Sequence, residues 1–289
     1  MVSLFRQVAD ILKTADVVKD LPKAKYVNVT NESNPIQQEF LEILDGLIDE
    51  VRANGQKSQN NMLSITKMGQ LAAIDLRFVK DLFGGKYTEE QLTLADNRLS
   101  KAAANIYEEY KKSDRNKGTQ FVFCDEGVNG NPGKRYNFNA YADLINKLVA
   151  AGIPREEIAV AQDYEDKGEL SGKVNSGEIR VLIGSTAVMG EGMNAQVKAV
   201  ALHHLTVPYR PSDIEQREGR IIRYGNENKE VTIYRYIQER SYDSYQWQML
   251  ERKAGFINQA LSGGNVEELE EMSDFVLSAR EAKSIASGN

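Results

Sequence analysis

The stretch that decides the fold is residues 179–194, IRVLIGSTAVMGEGMN, where a mostly apolar run leads into glycines and hydroxyl side chains. Short apolar runs of this kind are typical of strands buried on both faces of a parallel sheet. In open α/β sheets, ligands bind at the carboxyl ends of the strands. The loop that begins at Gly184 is therefore the first place where we expect a functional site.

Similar apolar runs occur on both sides of this stretch and alternate with helical patterns. Strands are predicted over residues 120–124, 158–161, 179–183, 199–205 and 231–237. Helices are predicted over residues 138–151, after Ser212, and over residues 242–261. This alternation predicts an α/β fold, a single parallel sheet flanked by helices on both faces.

The first 95 residues have a different, mostly helical pattern. Alternation over residues 25–30 predicts one short strand. Asn34 followed by Pro35 predicts the start of a helix that runs to about residue 54. Further helices are predicted over residues 62–83 and 97–112. We therefore expect a helical N-terminal extension over residues 1–95, the sheet domain over residues 96–262, and an acidic tail over residues 263–289.

The composition restricts the classes of protein that fit this chain. It has 289 residues with 36 Lys and Arg against 42 Asp and Glu, a formal net charge of -6. That balance argues against a strongly basic nucleic-acid coat protein, although a local basic patch is compatible with it. A single cysteine, Cys124, excludes an intrachain disulfide. No apolar run is long enough to span a bilayer and the N-terminus lacks a signal-peptide pattern, so we expect a cytoplasmic protein without a membrane partner.

A complete nucleotide-binding loop is not recognisable in the sequence. A P-loop ends in Gly-Lys-Ser/Thr, and the nearest segment, residues 127–134, is GVNGNPGK followed by Arg135. Its glycine spacing is one residue too long, and arginine replaces the hydroxyl that binds the metal. Residues 121–126, FVFCDE, imitate a Walker B strand but precede this loop, which reverses the usual order. We interpret the loop as a glycine-rich surface loop, and a defective P-loop remains the alternative.

A second chemically distinctive segment is residues 212–226, SDIEQREGRIIRYGN. Ser212 with Glu215 predicts a capping box, and Gly225 predicts the end of the helix. Three polar side chains then fall within an arc of roughly 60° on one face of that helix. They are Gln216, Arg220 and Arg223.

Two guanidinium groups on one helix face suggest a site for phosphate. Arginine carries a planar fork of donors that matches phosphate oxygens, and it stays charged at any working pH. Isoleucines 214, 221 and 222 occupy the opposite side, as expected if that side is buried. The alternative is an arginine face exposed to solvent with no ligand.

Together these segments resemble motifs of superfamily-two helicases and translocases. Residues 184–194 resemble motif V, residues 216–223 resemble motif VI, and residues 120–125 occupy the place of motif IV. The region from Leu21 is similar to the part that joins the lobes in Swi/Snf-type ATPases. Residues 203–213 resemble the helicase halves of phage and mobile-element proteins that are linked to DNA methylase or antirestriction modules.

The resemblance implies the second of two RecA-like lobes, with ATP and Mg²⁺ bound between them. Both would be held mainly by the N-terminal RecA-like lobe of the same protein, which supplies the P-loop. Arg220 and Arg223 would be arginine fingers, the catalytic residues of this lobe. Gln216 would line the nucleotide cleft.

The resemblance also assigns the loop that follows Gly184. Gly190, Gly192 and Asn194 would lie near the nucleotide, and the role of the acidic Glu191 between them is open. Ser185 and Thr186 would contact the backbone of nucleic acid, which we expect to be double-stranded DNA.

Two functions follow for this chain. It is either the C-terminal motor lobe of an ATP-dependent DNA helicase or translocase, inactive without the P-loop lobe, or a non-catalytic RecA-like interaction module. No metal site is expected, because the two histidines, His203 and His204, are adjacent on a strand and face opposite sides. Cys124 is expected in the core, and Tyr242, Tyr245 and Trp247 are expected to pack rather than to stack on bases.

Overall fold

The computed structural model describes residues 20–54, 60–93, 97–126, 138–190 and 192–262. Its centre is a sheet of six strands, β1 (Lys23–Asn31), β2 (Thr119–Phe123), β3 (Ile158–Val160), β4 (Val181–Gly184), β5 (Ala199–His204) and β6 (Glu230–Gln238). The strand order is β1-β6-β5-β2-β4-β3, and every neighbouring pair is parallel. The predicted α/β fold with a single parallel sheet is confirmed.

Nine α-helices are present in the described residues. They are α1 (Pro35–Asn54), α2 (Met62–Ile74), α3 (Glu89–Leu92), α4 (Arg98–Lys112), α5 (Ala140–Ala151), α6 (Lys167–Ser176), α7 (Thr186–Met189), α8 (Pro211–Glu218) and α9 (Tyr242–Ser262). Short 3-10 helices cover Leu76–Phe83, Asp114–Asn116, Arg155–Glu157 and Ala161–Asp163.

Two hydrophobic cores lie on opposite faces of the sheet. In β2, Phe121 and Phe123 belong to one core, whereas Val122 and the buried Cys124 after the strand belong to the other. Alternate side chains of a strand point to opposite faces, so this division shows that β2 is covered on both sides. The apolar run of residues 121–124 has its explanation here, since neither face of β2 meets solvent.

The N-terminal region is helical, as predicted, and it also completes the edge of the sheet. β1 pairs with β6 over its full length, from Lys23 opposite Glu230 to Asn31 opposite Gln238. The helix after it begins as predicted, because the Asn34 side chain accepts a 3.0 Å hydrogen bond from the backbone N–H of Gln37. Helices α1 and α2 pack in the same core as the sheet.

The prediction of one helical stretch over residues 62–83 was wrong in its middle. Helix α2 ends at Ile74, and Asp75 has an extended backbone with φ -163° and ψ 131°. The Asp75 carboxylate accepts hydrogen bonds from the backbone N–H of Arg77 at 3.0 Å and from its Nε at 2.8 Å. Aspartate that bonds to nearby backbone in this way competes with the helix, and a 3-10 segment follows.

The predicted helix after Ser212 begins earlier and ends sooner than expected. Pro211 is its first residue, and the Asp213 carboxylate accepts from the backbone N–H of Arg210, so the cap predicted from Ser212 and Glu215 was wrong. Proline is favoured at this position because its φ is already helical. The helix ends at Glu218, where Gly219 begins a series of tight turns that allows Ile221 to reach the core.

Other expectations about packing are confirmed. Cys124, Tyr242 and Trp247 are buried, and Tyr245 packs against the core. Within the described ranges, no helix is long and apolar enough to cross a membrane. The glycine-rich loop at residues 127–134, Glu191 and the acidic tail over residues 263–289 lie outside the described residues.

Candidate functional site

The residues predicted to lie at the nucleotide meet in one open cleft, with the exception of Gly190. Its volume is about 470 Å³. Five of the residues selected from the sequence line it: Gly192, Asn194, Gln216, Arg220 and Arg223. Glu215 and Gly219 complete the lining, so two guanidinium groups face one carboxylate among the described residues.

Arg220 is held in place by the loop after β4. Its Nη1 donates a 2.9 Å hydrogen bond to the carbonyl oxygen of Met193, and its Nη2 donates to the carbonyl oxygen of Gly190. The side chain therefore connects residues 219–223, the arginine segment after α8, to the loop after β4. Its charge is oriented by the protein before any ligand arrives.

Arg223 differs from Arg220 in having no side-chain partner among the described residues. The residue is half-buried and, within the described part of the chain, its guanidinium makes no hydrogen bond or ion pair. It lines the same cleft. A guanidinium with five unused donors is suited to a phosphate group.

Gly190 lies behind the cleft rather than on its surface. It is buried, and a Cβ on it would overlap the carbonyl oxygen of Thr186 and lie 3.2 Å from Oε1 of Gln216. The absence of a side chain lets Gln216 approach the loop. Gly192, which lines the cleft, has φ 71°, a conformation that favours glycine.

The two residues predicted to contact nucleic acid have different surroundings. Thr186 donates from its backbone N–H to Oδ1 of Asp125 at 2.7 Å and from its hydroxyl at 2.9 Å. The same hydroxyl accepts a 2.8 Å hydrogen bond from Nε of Arg217. Ser185 is half-buried, and its hydroxyl has no hydrogen-bond partner among the described residues.

Arg217 is the centre of a buried polar network that sequence reasoning missed. Its side chain is 0% exposed and pairs with the carboxylate of Asp125. Its Nη1 donates to the carbonyl oxygen of Thr206 at 2.8 Å and to Nδ1 of His204 at 3.1 Å. Burial lowers the pKa of Arg217, and the negative charge of Asp125 opposes that shift. The available signal was Asp125 directly after a buried strand, at the edge where ligands bind.

The network continues to the edge of the sheet. Because Nδ1 of His204 accepts from Arg217, its Nε2–H donates to Glu218 at 3.3 Å. Glu218 also accepts from the hydroxyl of Tyr26 on β1 at 2.8 Å. Burial lowers the pKa of His204 to about 4, so this histidine is neutral. Burial and the neighbouring Glu218 raise the pKa of Tyr26 to about 12.

His203 faces the opposite side of β5, as predicted. The Gln120 amide donates to the carbonyl oxygen of Ile106 at 2.9 Å, which turns its Oε1 toward Nε2 of His203 at 3.0 Å. Nε2 is therefore the donor, and Nδ1 accepts from the hydroxyl of Tyr236 at 3.0 Å. Burial lowers the pKa of His203 to about 3.

The two carboxylates after β2 form ion pairs within the chain. In the alternative interpretation of residues 121–126 as a Walker B strand, these carboxylates would hold a metal ion. Asp125 pairs with Arg217, and Glu126 forms an ion pair with Lys67 of α2. Carboxylates bind a metal ion through their oxygen atoms, and here both oxygens of Asp125 and one oxygen of Glu126 bond to other side chains or backbone. No cluster of three or more His, Cys, Asp or Glu side chains suited to a metal ion occurs in the described ranges.

The fold and the segments match known proteins. Residues 102–225 match the model of the helicase conserved C-terminal domain. Defense against restriction protein B of Escherichia phage P1 is 37% identical over 124 residues, which are 43% of this chain and 5% of that protein. The crystal structure of the C-terminal part of the Fun30 ATPase domain has a TM-score of 0.53 and 14% identity, over 92% of this chain and 96% of that chain.

The matched residues include the candidate site. The matched domain contains the loop after β4 and the arginine segment after α8. The Fun30 likeness extends beyond it, to most of the chain, and at this identity it concerns the fold alone. Together the matches support a superfamily-two helicase C-terminal lobe over residues 102–225, and the six-stranded parallel sheet is RecA-like.

Proposed function

We propose that this chain is the C-terminal motor lobe of an ATP-dependent DNA helicase or translocase. In this proposal a separate, N-terminal RecA-like lobe holds ATP and Mg²⁺ and presents the nucleotide to the cleft. The observation that carries it is the position of Arg220 and Arg223 in one cleft with Gln216 and the loop after β4. Bound ATP would supply the γ-phosphoryl group that is transferred to water.

The side chains of the cleft fit that group. Arg223, whose donors are unused within the described ranges, would bind a γ-phosphate oxygen, while Arg220 is already oriented by two carbonyl oxygens. Charge supplied in this way stabilises the transition state, and such fingers contribute about 10³–10⁵ in rate. Gln216 and Asn194 offer neutral amides at the rim. Ser185 and Thr186 follow the carboxyl end of β4, the edge where DNA would pass.

The test uses the protein that carries both lobes and measures DNA-stimulated ATP hydrolysis. Arg220→Ala and Arg223→Ala should each lower kcat by about 10³-fold or more. Arg115→Ala is the control, because Arg115 is an exposed arginine before β2 and far along the chain from the cleft. Wild-type rates in both cleft variants would contradict the assignment. The isolated chain should hydrolyse no ATP above background.

A second candidate is a non-catalytic RecA-like module of a DNA-modification or antirestriction protein. The similarity to a protein named for defense against restriction favours it. The two candidates differ in one measurement, since only the motor lobe requires Arg220 and Arg223 for ATP hydrolysis. A two-lobed protein that protects DNA equally well with both arginines replaced would support the module.

A further inference from the structure

We infer that Asp125 is a positioning residue that couples the loop after β4 to the arginine segment, and that Ser185 and Thr186 have separate roles. Ser185 contacts the nucleic-acid backbone, whereas Thr186 transmits that contact to Arg217. The inference rests on the proposed function and concerns how DNA binding reaches the cleft.

A closed ring of hydrogen bonds joins three segments. Asp125, after β2, accepts at Oδ1 from the N–H and the hydroxyl of Thr186, at 2.7 and 2.9 Å. Its Oδ2 accepts from Nη2 of Arg217. Nε of Arg217 donates back to the Thr186 hydroxyl at 2.8 Å, which closes the ring. None of the three side chains can move without breaking a bond to the other two.

The ring leaves the Thr186 hydroxyl without a donor for DNA. A hydroxyl has one proton, and that of Thr186 lies toward the Asp125 carboxylate, 2.9 and 3.0 Å from its two oxygens. A phosphate oxygen would have to displace that carboxylate, which is also an anion. The neighbouring Ser185 has an uncommitted hydroxyl among the described residues, so its proton is available.

The connection from the ring to the cleft is short. Arg217 is 0% exposed, and its buried charge is compensated by Asp125, so its side chain follows any movement of the ring. Its carbonyl oxygen accepts a 3.1 Å hydrogen bond from the backbone N–H of Arg220. Arg220 in turn holds the carbonyl oxygens of Met193 and Gly190. A shift of the loop at Ser185 is thereby transferred to a cleft arginine through Thr186 and Arg217.

The experiment measures ATP hydrolysis by the two-lobed protein as the concentration of duplex DNA is varied. Ser185→Ala should raise the DNA concentration for half-maximal stimulation by about tenfold, because a phosphate contact is lost. Thr186→Val and Asp125→Asn should lower the stimulated kcat by about tenfold, with half-saturating DNA changed by less than about threefold. Thr186→Ser keeps the hydroxyl and should restore the stimulated kcat.

A matched control separates positioning from stability. Arg180 is also 0% exposed, and it pairs with Asp114 at 2.7 Å at the amino end of the sheet. Asp114→Asn therefore removes the carboxylate partner of a buried arginine outside the candidate site. It should keep the stimulated kcat, whereas Asp125→Asn should not. Thermal unfolding of each variant shows the structural cost, and Thr186→Val, which changes no charge, covers the case in which Asp125→Asn fails to fold.

The outcomes distinguish the inference from the proposed function. Thr186→Val that shifts half-saturating DNA and leaves kcat intact would make Thr186 a direct contact and overturn the inference. Equal losses of kcat in Asp114→Asn and Asp125→Asn would do the same, because both would then act through stability. A wild-type two-lobed protein without DNA-stimulated hydrolysis would instead remove the proposed function, and the inference with it.

Discussion

Arg220 donates a 2.9 Å hydrogen bond from Nη1 to the carbonyl oxygen of Met193, across the gap between the arginine segment and the loop after β4. A second nitrogen of the same side chain bonds to Gly190. Arg223, three residues later, has no such partner in the described part of the chain. The two arginines of the cleft therefore differ in what they contribute to the folded protein, apart from any catalytic role.

This difference predicts unequal effects on stability. Arg220→Ala removes two hydrogen bonds from a charged donor and should lower the free energy of unfolding by about 1–3 kcal/mol. Arg223→Ala should change it by less than about 0.5 kcal/mol, as is usual for a side chain that, like Arg223 in the described structure, makes no specific contacts. Urea unfolding of the isolated chain measures both. Equal effects of the two substitutions would contradict the pairing of Arg220.

The buried His203 predicts a loss of stability in mild acid. Its pKa is about 3 in the folded chain, below the ordinary value of 6.5, so the unfolded chain binds more protons between these values. His203 therefore does not lower the free energy of unfolding above about pH 6.5. Below that pH it lowers this free energy progressively, by up to about 1.4 kcal/mol per pH unit.

The measurement is the free energy of unfolding between about pH 5 and 6.5. The chain has 2 histidines, and the pKa of the second, His204, is also lowered, to about 4. His203→Gln, which keeps a donor and an acceptor but cannot titrate, should roughly halve the slope. An unchanged slope would show that His203 is not the titrating group.

Two glycines predict opposite effects of alanine. Gly190→Ala places a Cβ against the carbonyl oxygen of Thr186 and near Gln216, so it should destabilise the chain by about 1–3 kcal/mol. Gly172, exposed on α6, has no atom within 4 Å of an added Cβ. Gly172→Ala should therefore stabilise the chain by about 0.5–1 kcal/mol. Thermal unfolding tests both, and destabilisation by Gly172→Ala would contradict the open space there.

The single thiol predicts resistance to alkylation. Cys124 is 0% exposed, and burial raises its pKa to about 12, so both access and thiolate formation are suppressed. Iodoacetamide at neutral pH should label the native chain at least about 10³-fold more slowly than the chain in urea. Mass spectrometry gives the rates. Rapid labelling of the native chain would place the thiol at the surface.

The sequence predicted most of the sheet because its strands are locally distinctive. Residues 121–124, in and directly after β2, form an uninterrupted apolar run, and glycines or capping residues separate the strands and helices that follow. The breaks were harder to predict. Asp75 interrupts a helical pattern through bonds to Arg77 and, indirectly, to Asp143, which pairs with Arg77 at 2.9 Å. That partner lies far along the chain, so periodicity carries no trace of it.

The site shows the same division between local and distant information. Gln216, Arg220 and Arg223 were selected from an ideal helix, which ends at Glu218, and yet they line one cleft. The tight turns after Gly219 keep them on one side. The ring of Asp125, Thr186 and Arg217 was not predicted, because its members are separated by 61 and 31 residues. An arginine within a charged segment gives no local indication that it is buried.

The pairing of β1 with β6 decides where the chain can be cut. A fragment beginning at residue 96 would lack the strand that covers β6 and would present the backbone N–H and C=O groups of Glu230–Gln238 along an open edge. Such an edge is a template for strands of other molecules. We expect such a fragment to aggregate during purification, while one beginning at residue 20 stays monodisperse. Pairing with β1 thus keeps β6 from pairing with strands of other molecules.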